Sequence, residues 1–97
     1  MIIHLLAPED KNKWRPIWNK CYPSLQNLPY QIKIWNDKEI DNLIKQDNKD
    51  FYNTLNTLPL IYKVDYVRYI IMRDYGGVYI DMDVEVINNF IPLINYI

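Results

Sequence analysis

The chain has 97 residues, 49% hydrophobic and 24% charged, with 11 Lys and Arg against 12 Asp and Glu for a net charge of −1. That length supports one small domain, residues 1–97, that buries somewhat over ~60% of its unfolded surface. The near-neutral balance lacks the basic stripe of a nucleic-acid binder, the lone Cys21 rules out an intrachain disulfide, and no apolar run approaches the ~20 residues of a membrane span.

In chain order, residues 2–6 read as a first strand. His4 sits inside it as a hydrogen-bonded core histidine, without assigned chemistry. Residues 11–25 read as a helix interrupted early by Pro16, on which Trp14 and Trp18, four apart, form a core-facing stripe. Trp14 is also placed to cover a nucleobase. Residues 31–35 form a second strand. In open α/β sheets ligands lie outside the carboxyl ends of the strands, so the backbone of Leu5, Leu6 and Ala7 is a candidate nucleotide edge, with Trp35-Asn36-Asp37 beside it. Asn36 with Glu39 three residues on also reads as a capping box, which opens an amphipathic helix over 37–46. A further helix is expected over 51–58. Strands alternating with helices favour a parallel sheet with helices on its faces.

The chemistry-bearing stretch begins at residue 59. Residues 59–75 contain no glycine, open on a proline and repeat Val64, Val67 and Ile71 at helical spacing, so they form a helix. Asp65 and Arg68, three apart, share one of its faces. Gly76-Gly77 lets the backbone leave the helix through left-handed conformations and re-enter as a strand. From 78 to 85, Val78, Ile80, Met82 and Val84 alternate with Tyr79, Asp81, Asp83 and Glu85, a period of two that sends the tyrosine and the acids to one side. An Asp-x-Asp pair at a strand end suits a divalent cation bridged to phosphate, because hard cations prefer oxygen ligands. Taken singly, each feature has a plainer reading: solvated turn acids, an exposed helix ion pair, a tyrosine packing across strands.

Together, Ile2-Ile3-His4, Asp65-x-x-Arg68-Tyr69 and Gly76-Gly77-x-Tyr79-x-Asp81-x-Asp83 resemble glycosyltransferase family 32, which includes yeast-type mannosyltransferases, and its relatives among large clostridial glucosylating toxins. Trp14, Trp18, Pro29-Tyr30 and Lys33-Ile34-Trp35-Asn36-Asp37 look like the segment that leads through that family's second strand. The likeness covers nearly all of the chain but only the nucleotide-binding half of the family's domain. It implies a Rossmann-like GT-A fold, α/β with a mainly parallel sheet flanked by helices, in truncated form. It also implies a retaining hexosyltransferase that uses a nucleotide sugar and Mn²⁺ or Mg²⁺. By position, Asp83 looks like the direct metal ligand, and Asp81 like the residue that meets ribose, sugar and metal-bound water. Asp65 and Arg68 look like the pair that holds donor-sugar hydroxyls, and Tyr79 like a donor-contacting tyrosine. A UDP-sugar is the first expectation for the donor and GDP-mannose the second; no acceptor is read from these residues.

Family members continue past the Asp-x-Asp strand into the acceptor-binding part, whereas this chain stops at Ile97. The apolar tail Phe90-Ile91-Pro92-Leu93-Ile94-Asn95-Tyr96-Ile97, after a turn at Asn88-Asn89, is expected to be a cover or an interface, and a homodimer is the expected assembly. The first strand begins almost at the first residue, leaving no signal peptide, so a cytoplasmic location is expected. Heavy use of Ile, Asn, Lys and Tyr fits an AT-rich microbial or viral genome. Other classes stay open: a non-catalytic nucleotide-sugar-binding module, half of a split enzyme, another metal-dependent phosphate enzyme such as a nucleotidyltransferase, or a structural interaction protein.

Overall fold

The structure, a computed structural model, describes residues 1–87. Three strands form one sheet, β1 (Ile2–Leu6), β2 (Gln31–Trp35) and β3 (Val78–Tyr79), in the order β2-β1-β3 with both pairings parallel. The helices are α1 (Pro16–Gln26), α2 (Asp37–Asp47), α3 (Lys49–Leu55) and α4 (Leu60–Tyr75), with a short 3₁₀ turn at Lys11–Lys13. This is the expected α/β, Rossmann-like arrangement.

Central β1 is buried on both faces. Ile3, Leu5 and Ala7 enter a core with Trp14, Leu25 and Met82 on the α1 side. Leu6 packs on the opposite face, where Trp35, Ile40, Ile44, Leu55, Val67, Ile70 and Ile71 make a second core under α2, α3 and α4. Each fully buried aliphatic side chain stabilises the fold by ~1.5–3 kcal/mol. The chain thus leaves β1 toward β2 over one face and returns to the far side of β1 over the other. That places the topological switch point between the carboxyl ends of β1 and β3.

Two expected elements differ. The helix expected from residue 11 starts only at Pro16, which occupies its first turn. The proline ring disfavours helical geometry at the residue before it, and Arg15 is extended (φ −64°, ψ 147°). Trp14 and Trp18 therefore do not share a helix, yet both pack into the α1-side core. The strand expected over 78–85 has two residues. Ile80 extends the pairing by donating its N–H to the His4 carbonyl at 3.1 Å, and Val84 N–H then closes a turn on the Asp81 carbonyl at 3.2 Å. Met82, 4% exposed, turns into the α1-side core, and Val86 N–H donates to Ser24 Oγ at 2.9 Å. Core burial and that tether bend the chain off the sheet, so the pleat does not set the relative direction of Asp81 and Asp83. The turn at Asn88-Asn89 and the apolar tail lie outside the described residues.

Local signals account for the rest. In the capping box of α2, Asn36 Oδ1 accepts from Glu39 N–H at 2.9 Å and Glu39 Oε1 accepts from Asn36 N–H at 3.2 Å. The helix expected over 51–58 lies instead over Lys49–Leu55 as α3, capped by Asn48, whose Oδ1 accepts from Phe51 N–H at 3.0 Å. Helix α4 ends at Gly76 (φ +67°) and Gly77 (φ +83°). At Gly77 a Cβ would stand 2.3 Å from the Ile2 carbonyl oxygen, so the elbow passes β1 at a distance that only glycine allows.

Candidate functional site

Helix α4 carries Asp65 and Arg68 on its exposed side, where Arg68 Nη2 donates to Asp65 Oδ1 at 2.8 Å. The same guanidinium lies over the Tyr79 ring, 5.3 Å from its centroid. Tyr79 pairs with His4 in register, so its side chain emerges on the α4 face of the sheet. Burial foremost, and then a hydrogen bond to the Asp81 carboxylate and that carboxylate's charge, push the Tyr79 hydroxyl well above the ordinary phenol range; Arg68 pulls the other way. Tyr79 therefore stays protonated. Asp65, Arg68 and Tyr79 thus form one chain of contacts from mid-helix α4 to the end of β3, with Asp81 two residues further on. A guanidinium carries five N–H donors, so Arg68 can hold Asp65 and still present donors to a ligand's hydroxyl or phosphate oxygens.

Asp81 and Asp83 are both exposed, at the turn that follows β3. Among the described residues, no three His, Cys, Asp or Glu side chains gather into a metal-holding cluster. Two exposed carboxylates nonetheless fit a hard divalent cation that completes its shell with substrate phosphate oxygens and water, a usual arrangement for Mg²⁺.

The first-strand edge is built differently from the β3 edge. Leu5 is fully buried, Leu6 is partly buried, and Ala7 is 5% exposed with its N–H donated to the Trp35 carbonyl at 3.1 Å. That amide is committed to the sheet, and Pro8 after it has no N–H. Beside this edge lies a groove of about 300 Å³ lined by Pro8, Glu9, Lys11, Trp14, Ile34, Asn36 and Glu39. A shallower one of about 450 Å³ adjoins it over Asp10, Lys13, Asp37 and Lys38. Trp14 is fixed on the wall by its Nε1–H, which donates to the Pro8 carbonyl at 2.8 Å, and by an edge-on contact with Tyr22 at 5.2 Å. Glu39 combines its capping role with a 2.5 Å ion pair to Lys33. Burial would raise its carboxyl, but the Lys33 and Asn36 hydrogen bonds hold it below the ordinary value.

The concave surface therefore lies at the ends of β1 and β2, and the acids lie at the end of β3. Both are at the carboxyl edge of the sheet, on the two sides of β1. The sequence alone does not single out Pro8, Glu9, Lys11 or Glu39 as groove residues. The one local signal was a proline and an acid directly after a buried strand. His4 is a buried, hydrogen-bonded core residue, as read from its apolar setting.

The model of a glycosyltransferase sugar-binding region containing the DXD motif matches residues 8–96, which include Asp81-Met82-Asp83. The chain is similar to inositol phosphoceramide mannosyltransferase 3 of Schizosaccharomyces pombe, 34% identical over 89 residues that cover 91% of this chain and 24% of that protein. Inositol phosphoceramide mannosyltransferase 1 of the same yeast is 28% identical over 100 residues, 97% of this chain and 31% of that one. An uncharacterized glycosyltransferase of Acanthamoeba polyphaga mimivirus is 34% identical over 59 residues, 59% of this chain and 24% of that one. The chain spans about a quarter to a third of the length of these relatives. No solved structure matches it. With the helix pair, the glycine elbow and the paired acids in place, and with the family model matching 8–96, the chain belongs to the glycosyltransferases whose sugar-binding region contains the DXD motif.

Proposed function

We propose that this chain is the donor-binding part of a metal-dependent, retaining glycosyltransferase that takes a hexose from a nucleotide sugar. The observation that carries the reading is the contact of Asp65 with Arg68 and of Arg68 with Tyr79, which joins helix α4 to the strand end that Asp81 follows. It sets two carboxylates, a guanidinium and a phenol beside the switch point, where an α/β sheet takes its ligand.

In this reading Asp65 accepts hydrogen bonds from donor-sugar hydroxyls and Arg68 donates to them. Tyr79, held protonated, orients the Asp81 carboxylate toward ribose and sugar. Asp83, with Asp81, holds the divalent cation. When bound, that cation supplies charge neutralisation for the departing diphosphate. Fixed carboxylates near the anomeric carbon favour an oxocarbenium-like transition state, because they need no reorganisation as positive charge develops. The names of the two yeast relatives support mannose as the transferred hexose, which puts GDP-mannose ahead of the UDP-sugars. No helix of the described residues is long and apolar enough to cross a membrane.

The test is thermal unfolding of the wild type and Asp83→Asn against GDP-mannose and a panel of UDP-sugars, with and without Mn²⁺. A donor at ~100 times its dissociation constant adds roughly 2.7 kcal/mol to the folded state. A Mn²⁺-dependent shift with one nucleotide class, lost in Asp83→Asn, is the expected result. An identical response in wild type and Asp83→Asn rejects the metal assignment. The absence of a shift with any donor rejects the donor site.

A further inference from the structure

We propose that His4 is the positioning residue of this site: it holds both ends of the segment from Gly76 to Ile80 and so sets where Tyr79 and Asp81 stand against helix α4. The inference rests on reading that edge as the donor site.

His4 lies on the central strand, 1% exposed. One ring nitrogen, Nε2, is 2.9 Å from the Gly76 carbonyl oxygen at the end of α4. The other, Nδ1, accepts from the Trp35 indole N–H at 3.1 Å. An indole N–H only donates and a carbonyl only accepts, so the two partners together specify the neutral tautomer with its proton on Nε2. The main-chain carbonyl of the same residue accepts from Ile80 N–H at 3.1 Å. One residue thus grips position 76 with its side chain and position 80 with its backbone. Between them, Gly77 passes so close that a Cβ would stand 3.4 Å from His4 Nε2 and 2.3 Å from the Ile2 carbonyl oxygen.

The clamp matters because β3 has only two residues. A strand that short has few ladder bonds of its own, so its place depends on what else grips it. A purely space-filling core histidine would be replaceable by an apolar ring of similar size. This one makes two ring hydrogen bonds of opposite sense, and an apolar ring leaves a buried indole N–H and a carbonyl unpaired. Trp35 and Tyr75 pack around the imidazole, with ring centroids at 6.1 and 6.2 Å. Trp35 also begins the connection to α2, so the clamp ties the β2 edge to the β3 edge.

The experiment is amide hydrogen exchange by NMR on the full chain without ligand, for wild type, His4→Phe, His4→Gln and Ile44→Ala. Ile44 is a buried residue of α2 that makes no hydrogen bond to His4, and its truncation controls for general loss of stability. In His4→Phe, the Ile80 and Val84 amides are expected to exchange at least about tenfold faster relative to the Ile40 and Asn48 amides of the α2 region. His4→Gln, which can still donate toward Gly76, is expected to recover most of that factor. Ile44→Ala is expected to leave Ile80 no faster relative to Ile40 than in wild type. If His4→Phe does not fold, Trp35→Phe removes the donor to Nδ1 and carries the same comparison, with a relative factor of at least about three. Acceleration of all amides by a common factor in the His4 and Trp35 variants overturns the proposal. Because the exchange is read without ligand, failure of the wild type to bind any nucleotide sugar overturns the donor reading alone.

Discussion

The Arg68 guanidinium lies 5.3 Å from the centroid of the Tyr79 ring and bonds Asp65 at 2.8 Å, so one side chain joins helix α4 to the strand that carries the acids. The Asp65 and Arg68 side chains are 55% and 43% exposed. Solvent screening therefore limits their ion pair to ~0–1 kcal/mol of stability. Arg68→Ala is expected to change unfolding free energy by no more than about 1 kcal/mol while weakening donor binding at least about tenfold, because a charge-assisted donor is lost from the sugar contact. Urea unfolding and donor titration on the same preparation separate the two effects. A variant that binds the donor as the wild type does rejects the role given to Arg68.

The two glycines of the elbow are expected to differ. Gly76 (φ +67°, ψ −156°) has nothing within 4 Å of a built Cβ, so Gly76→Ala meets only backbone strain of ~1–3 kcal/mol. Gly77→Ala adds a collision with the Ile2 carbonyl at 2.3 Å, a backbone atom that cannot swing aside. Its loss is expected to exceed that of Gly76→Ala by at least ~1 kcal/mol. Chemical denaturation of both variants checks the order, and equal losses would show that the elbow can shift away from β1.

Acid weakens the fold in two separate windows. Burial foremost holds His4 below its ordinary value of 6.5, partly offset by the Gly76 hydrogen bond. The unfolded chain therefore binds a proton near pH 6.5 that the folded chain resists, and stability declines as pH falls below that value, by at most ~1.4 kcal/mol per pH unit. Above about pH 7.5 the residue is neutral in both states and adds no slope. Glu39, held below its ordinary 4.5, gives stability that is full above that value and is lost as pH falls through its folded value. Unfolding free energies at pH 8, 6 and 5 are expected to show the first decline, and His4→Gln is expected to flatten it. An unchanged slope in His4→Gln would assign the decline to other groups.

The α2 cap gives a local test. Asn36→Ala removes the acceptor for Glu39 N–H and leaves the reciprocal bond, donated by the backbone N–H of residue 36, in place, with an expected loss of ~1 kcal/mol. Asn36 also lines the groove beside β1. Donor affinity that stays unchanged in this variant, at a temperature where it is folded, would show that the cap is its whole role.

Much of this was written locally. The helical spacing of Val64, Val67 and Ile71, the glycine pair after Tyr75, the Asn36 and Glu39 cap and the three-residue step from Asp65 to Arg68 each act within a turn or two of chain, and each is present in the structure. The α/β class and the parallel sheet were legible for the same reason, since strands alternating with helices pack in few ways. Where the helix after β1 begins was open to the same reading, because Pro16 constrains only its neighbour.

Tertiary packing decided the rest. Alternation from Val78 to Glu85 names which side chains turn inward, but the strand stops at Tyr79 because Met82 finds a core made by Ile3, Leu5, Trp14 and Leu25, residues more than fifty positions earlier. The hydrogen bonds of His4 reach 31 positions to Trp35 and 72 to Gly76, a separation that no periodicity encodes. Arg68 meets Tyr79 for a similar reason, since the elbow turns the chain back along its own helix. Spacing, caps and glycines determine local shape through steric and hydrogen-bond preferences of neighbouring residues; which distant groups then share an edge is set by how two cores close on opposite faces of one central strand.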